Sequence, residues 1–180
     1  MLSRFGMVFA LCVAAVSLTG CPPGTELPVP PFDATGTYVG TWSGQATTGA
    51  TKQEIAACPL ELTLTQNTAA NWPQSFAVTG SVFIDFSCIE LPEWAEDQEL
   101  EPGLVQVTGV MNEPGQLGLL TGGCGTGLCV VLGLDGTGVD ADNDGMMDTY
   151  AGDWAFSLLL AGVEPLTIRG SFDAEFDDTI

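Results

Sequence analysis

The chain has no histidine, and its 180 residues carry only three basic side chains against 23 acidic ones. Without histidine, the serine and cysteine triads that use an imidazole base are excluded. A formal net charge of −20 leaves no basic footprint for nucleic acid or for docking on anionic lipid. Phosphate-cradling chemistry is missing as well: "TGGCGTG" at 121–127 is glycine-rich but lacks the Lys-Ser/Thr pair and the helix that should follow. Convincing amphipathic helices are absent, and only "EWAEDQELE" (93–101) offers a single acidic turn. Past residue 20 no apolar run is long enough to cross a hydrocarbon core of about 30 Å.

What is present begins with a short positive region at Arg4 and an apolar run, "FGMVFALCVAAVSL", from Phe5 to Leu18. That pattern reads as a secretory signal over residues 1–20. Directly after it stands Leu18-Thr19-Gly20-Cys21, which resembles the lipobox of bacterial lipoproteins. The resemblance implies cleavage before Cys21, a thioether to diacylglycerol on its thiol, and acylation (palmitate among the chains) of the new amine. Each buried methylene adds about 0.8 kcal/mol of membrane affinity, so such a residue anchors without a spanning helix. Pro22 and Pro23 are not the acidic signal that retains lipoproteins on some inner membranes, so the expected location is the cell envelope, with the outer membrane favoured.

Residues 21–32, ending in "PPGTELPVPPF", form a Pro-rich tether that extends about 3.1 Å per residue. From residue 33 to 180 a single domain is expected, monomeric and without a second linker. Four further cysteines in an exported chain read as two disulfides with three possible pairings. Cys58 shares its alternation face with Leu60, Leu62 and Leu64, and Cys88 shares its face with Val82, Ile84 and Phe86. Both then point inward, which selects Cys58–Cys88 and leaves Cys124–Cys129 to close "CGTGLC". A zinc site is the rival, disfavoured by the wide spacing and the missing histidine.

Period-two alternation runs through nearly the whole domain. In "LTIRGSFDAEF" the positions Leu166, Ile168, Gly170, Phe172, Ala174 and Phe176 share one face. "FAVTGSVFIDF" (76–86) and "LELTLTQ" (60–66) repeat the pattern, and "GTYVGTWSGQ", "LVQVTGVM", "QLGLL", "LCVVLGL" and "WAFSLLLAG" add further strands. About eight short strands with polar outer faces predict an all-β, antiparallel up-and-down barrel, with a β-sandwich as the alternative. The triplet Gly40-Thr41-Trp42 resembles the Gly-x-Trp opening of lipocalin-like (calycin) barrels. That resemblance implies that Trp42 plugs one barrel end with Arg169 packed over it, although Arg169 lies on the polar face of its strand. It also implies a small apolar ligand in the barrel mouth.

The stretch "DADNDGMMD" places Asp140, Asp142, Asp144 and Asp148 at alternating positions around Gly145. Counting Asp140 as position 1, this is EF-hand spacing, with the Met146 backbone carbonyl at position 7. Position 12, a bidentate Glu in an EF-hand, is Ala151 here, and Asp153, Asp135 or water must supply the missing ligands. The segment therefore resembles a single DxDxDGxxD loop of thrombospondin type-3-like calcium repeats. It should bind calcium weakly and structurally, at about 10⁻⁴–10⁻³ M. A plain Asn-Asp-Gly hairpin turn explains Asp144-Gly145 but not the other aspartates.

No catalytic residue is assigned, and a non-enzymatic, lipid-anchored envelope protein is the expected function. Transport of a small apolar ligand is the alternative. A carboxylate hydrolase using the cluster Glu93, Glu96, Asp97, Glu99 and Glu101 ranks last, because charge runs are ordinarily solvated.

Overall fold

The computed structural model describes residues 28–96, 103–112, 114–125 and 127–179. The signal segment, Cys21 and the tether up to residue 27 lie outside the described residues, as do Asp97, Glu99 and Glu101. The strands are β1 (Gly36–Thr48), β2 (Thr51–Gln66), β3 (Ala77–Ile84), β4 (Gly103–Asn112), β5 (Gln116–Gly125), β6 (Leu128–Val139), β7 (Thr149–Leu160) and β8 (Leu166–Phe176). Each pairs antiparallel with the next, and β8 returns to β1, so the sheet is a closed barrel rather than a sandwich. Among the described residues, the short α-helix α1 (Glu93–Glu96) lies between β3 and β4.

The alternation in the sequence becomes the inside and outside of this barrel. Leu166, Ile168, Phe172 and Ala174 of β8 are buried, and Arg169, Ser171, Asp173 and Glu175 between them are exposed. The first half of β2 breaks the rule, since Trp42 pairs with Cys58 but Gly44 pairs with Ile55. Ala56 and Ala57 therefore stand against Ser43 alone, a bulge that leaves Ile55 and Cys58 both inward. A Cβ on Gly40 would collide with the carbonyl oxygen of Asp173, and one on Gly170 with that of Ser43. Glycine at these positions lets β1 and β8 approach closely enough to close the ring.

The interior is filled. Trp42 and Trp154 meet edge to face at 4.3 Å between ring centroids, and the Trp154 indole donates to the Ser43 carbonyl at 3.2 Å. Around them Leu60, Val82, Leu132, Leu134 and Phe172 leave a void of only about 10 Å³. Trp42 thus lies midway along β1, paired with Cys58 and Phe172, and does not plug an end. Arg169 does not cover it, because Arg169 is exposed on the outer face beside Ala155 and Gln45. The inward neighbour of Trp42 is Trp154.

Both disulfides form as the parity reading expects, Cys58–Cys88 and Cys124–Cys129. Cys88 belongs to a 3₁₀ turn past the end of β3, so the bond ties that turn to β2. Cys124 and Cys129 face each other across the β5–β6 hairpin. The disulfides and α1 share one end of the barrel. The other end carries the chain entering β1, the β2–β3 connection and the aspartate loop between β6 and β7.

Tyr38 and Tyr150, the chain's two tyrosines, are fully buried and donate to the carbonyls of Ala34 (3.2 Å) and Leu117 (2.7 Å). Burial raises both phenol pKa values, and the charges of Asp33 and Asp148 near Tyr38, and of Asp135 near Tyr150, raise them further. An acid whose pKa is raised by folding stabilises the fold fully below its unfolded value, about 10 for tyrosine, and loses that contribution as pH climbs through the folded value. In an alkaline titration, tyrosinate absorbance should therefore rise together with loss of near-UV dichroism. A separate tyrosine titration near pH 10 in the folded state would show that the phenols are open to solvent.

Candidate metal centre

The β6–β7 ladder ends at Val139 opposite Thr149, so residues 140–148 form the connection. This is longer than a two-residue hairpin turn, and its shape is set by left-handed backbone at Asn143 (φ 63°) and Gly145 (φ 90°). Short polar side chains and glycine tolerate that region, which explains why "NDG" sits there. Within the loop the carboxylates accept backbone amides. Asp140 accepts the N–H groups of Asp144 (3.2 Å) and Gly145 (2.9 Å), and Asp142 also accepts that of Asp144 (3.1 Å). Asp144 accepts the Met146 N–H (2.8 Å), and Asp148 reaches back to the Ala141 N–H (2.6 Å).

Asp140, Asp142 and Asp148 bring one carboxylate oxygen each to within 4.8 Å of one another. Ligand oxygens sit about 2.4 Å from calcium, so oxygens on opposite sides of one ion are about 4.8 Å apart. The three fit around a single hard cation. Asp144 is not in this group, and its side chain turns to the Met146 amide instead. Asp153 is also not brought to the loop. It lies on the exposed face of β7, opposite Asp135, about 13 Å along the strand from Thr149. The strand's alternation, which turns Tyr150 inward, turns Asp153 and Asp135 out onto the barrel wall, away from the connection.

The sequence reading missed the partner of this loop. Asp33 forms a parallel bridge with Met146, its N–H donating to Gly145 O (2.8 Å) and its carbonyl accepting the Met147 N–H (2.9 Å). On either side of it Phe32 and Ala34 are buried, and Met147 is buried below the loop. The Phe32 ring fills the space over Gly138, where an added Cβ would come within 2.7 Å of it. The expected tether boundary at residue 32 therefore shifts: Phe32 belongs to the core. The signal in the sequence was one aromatic residue after a run of prolines, too short to show periodicity.

Elsewhere, of the acidic cluster the structure describes the side chain of Glu93 alone. Glu93 is exposed, while Trp94 is half-buried against the core, its indole N–H without a hydrogen-bond partner among the described residues.

No protein-family model matches the chain, and neither does any curated protein. A structural genomics crystal structure of a protein of unknown function from Bacteroides ovatus resembles it with a TM-score of 0.41 and 11% identity. The match covers 81% of this chain but 42% of that one, and so faint a likeness says nothing about function.

The strap and the loop should behave as one unit. Phe32→Ala should destabilise the fold by about 3–5 kcal/mol in urea titrations. It should also speed hydrogen exchange at the Met147 amide more than at amides of the disulfide end. Equal acceleration at both ends would mean that the strap does not hold the loop.

Proposed function

We propose that this chain is a lipid-anchored, non-enzymatic protein of the cell envelope, in which a packed barrel serves as scaffold and a weak calcium loop clasps its anchored end. The observation that carries the reading is the convergence of Asp140, Asp142 and Asp148 on a loop bonded through Asp33 to the segment arriving from the tether. A cation held there would neutralise three close carboxylates, and with them the repulsion that opposes the loop's closed shape. The donors are all carboxylates, which suits a hard cation such as calcium, and a missing bidentate closer keeps affinity low. Water completes the ligand set, since Asp153 and Asp135 stand too far along the strands.

The acyl chains on Cys21 supply the membrane attachment in this reading, and the outer membrane is its location. A lipocalin-like ligand site is the weaker reading, because a void of about 10 Å³ holds at most one water. An apolar ligand would have to displace the Trp42–Trp154 pair.

The test is thermal unfolding of the soluble chain starting at Pro22, with calcium, with magnesium, and in the variant Asp140→Asn, Asp148→Asn. At ten times its Kd, calcium should add about 1.4 kcal/mol, the value of RT ln 11. The variant should gain nothing. If parent and variant respond alike, the aspartates tie a turn and the calcium reading falls.

A further inference from the structure

A second surface feature lies at the strap end and takes no part in the metal loop. Outside the barrel, an open groove of about 910 Å³ runs between Pro28, Trp72, Pro73, Phe76, Val110 and Met111. Its exposure is unusual for its chemistry. Trp72 is 52% exposed, Val110 53%, and Val29, next to the groove's rim, 73%. An indole with a wet edge and an apolar body is the side chain most at home at a membrane–water interface.

Charge marks the same sector. Between Glu61 and Asp85 no side chain is charged, in a chain whose net charge is −20. The outward residues of β3 (Ala77, Thr79, Ser81) and of β4 (Leu104, Gln106, Thr108, Val110) are all uncharged. Of the other walls, β2, β6, β7 and β8 carry outward charges, and β1 and β5 carry none, so β3, β4 and β5 form the widest uncharged sector. Uncharged surface of this extent, edged by an exposed tryptophan, fits a partner that excludes charge.

Chain length decides which partner. Pro28 is part of the groove, and six residues, or seven Cα-to-Cα steps, separate it from Cys21. That span reaches at most about 24 Å. The tilted strands put the disulfide end about 30 Å farther off. The groove is thus held close to whatever surface holds Cys21.

We propose that the groove around Trp72 docks on the headgroup–acyl boundary of a zwitterionic bilayer, orienting the barrel with its strap end against the membrane. The inference rests on the lipid-anchored reading. An anionic surface is disfavoured because Asp33, Asp140, Asp142, Asp144 and Asp148 crowd the same end. Acyl attachment alone tethers the barrel without orienting it; Trp72 supplies the second contact.

The experiment uses the full mature chain, extracted from membranes in detergent and reconstituted into phosphatidylcholine vesicles with or without bromine on the acyl chains. Trp42 and Trp154 are buried and Trp94 is half-buried, so contact quenching by bromine should fall on Trp72. Emission of the parent should drop in brominated vesicles, Trp72→Ala should lose that drop, and Trp94→Phe should keep it. Trp72 is half exposed, so its loss should leave the near-UV dichroism of the core in place. Equal quenching in parent and Trp72→Ala, or none in the parent, overturns the docking surface. Self-association in detergent that Trp72→Ala abolishes also overturns it, in favour of a second copy in the groove. The mass of the N-terminal peptide from the same sample reports acylation of Cys21 separately. An unmodified peptide removes the anchored reading, while the bromine signal alone judges the groove.

Discussion

Closure of the sheet through β1 and β8 is the constraint on which the other features depend. Eleven consecutive pairs, from Tyr38 opposite Phe176 to Thr48 opposite Leu166, join the first strand to the last. Without them both strands would present rows of unpaired amides and carbonyls, and the barrel would be an open, edge-bearing sheet. Closure requires tight coiling, and Gly40 and Gly170 allow it where β1 and β8 approach most closely. Once the ring is closed, every inward side chain faces others across a narrow interior, and the period-two pattern becomes a core.

That interior is packed around Trp42 and Trp154, which has a functional consequence. Large aromatic side chains at mid-height fill the volume that a ligand-carrying barrel keeps open. The larger open spaces among the described residues lie on the outer wall and at the strap end. The two ends are built differently. One is locked covalently by Cys58–Cys88 and Cys124–Cys129. The other is held by weaker means, a buried phenylalanine and a two-bond bridge from Asp33 to the aspartate loop. The weaker end is the one at which the chain enters β1, so the fold is least covalently secured there.

The aspartate loop is shaped by carboxylates whose spacing also suits a cation. Asp140, Asp142 and Asp148 satisfy amides within the loop, which shapes it, and they also converge closely enough to surround one cation. Each carboxylate has several lone-pair sites, so accepting an amide does not prevent it from donating to a metal.

The alternation was legible in β8 from Leu166 to Ala174, in β3 from Ala77 to Val82 and in the second half of β2, because a strand with one buried face must repeat every two residues. It failed at Phe176, which is exposed at the end of β8, and it does not reach Phe76 and Phe86, which lie in 3₁₀ turns. The disulfide pairing is as the parity suggested, although Cys88 stands in a 3₁₀ turn past β3, where strand parity no longer applies. The bulge at Ala56-Ala57 was not legible, since an inserted residue destroys the local period that would reveal the strand. The loop's aspartates announced themselves by spacing, but spacing extends along the chain and cannot show which carboxylates turn inward on one point. Asp144 turned to an amide, and Asp153 was carried up the barrel wall with β7. Trp42 met the same limit: its strand was readable, as was the polar face of Arg169, yet its height in the ring depends on register between β1 and β8. By itself the sequence determined the class of fold, the inward residues and the acidic, histidine-free chemistry, all of which are local or compositional. Only the tertiary structure decided that the barrel is full, that Phe32 belongs to it, and that the entering strap is bonded to the aspartate loop. Those are contacts between residues more than a hundred positions apart, which closure alone brings together.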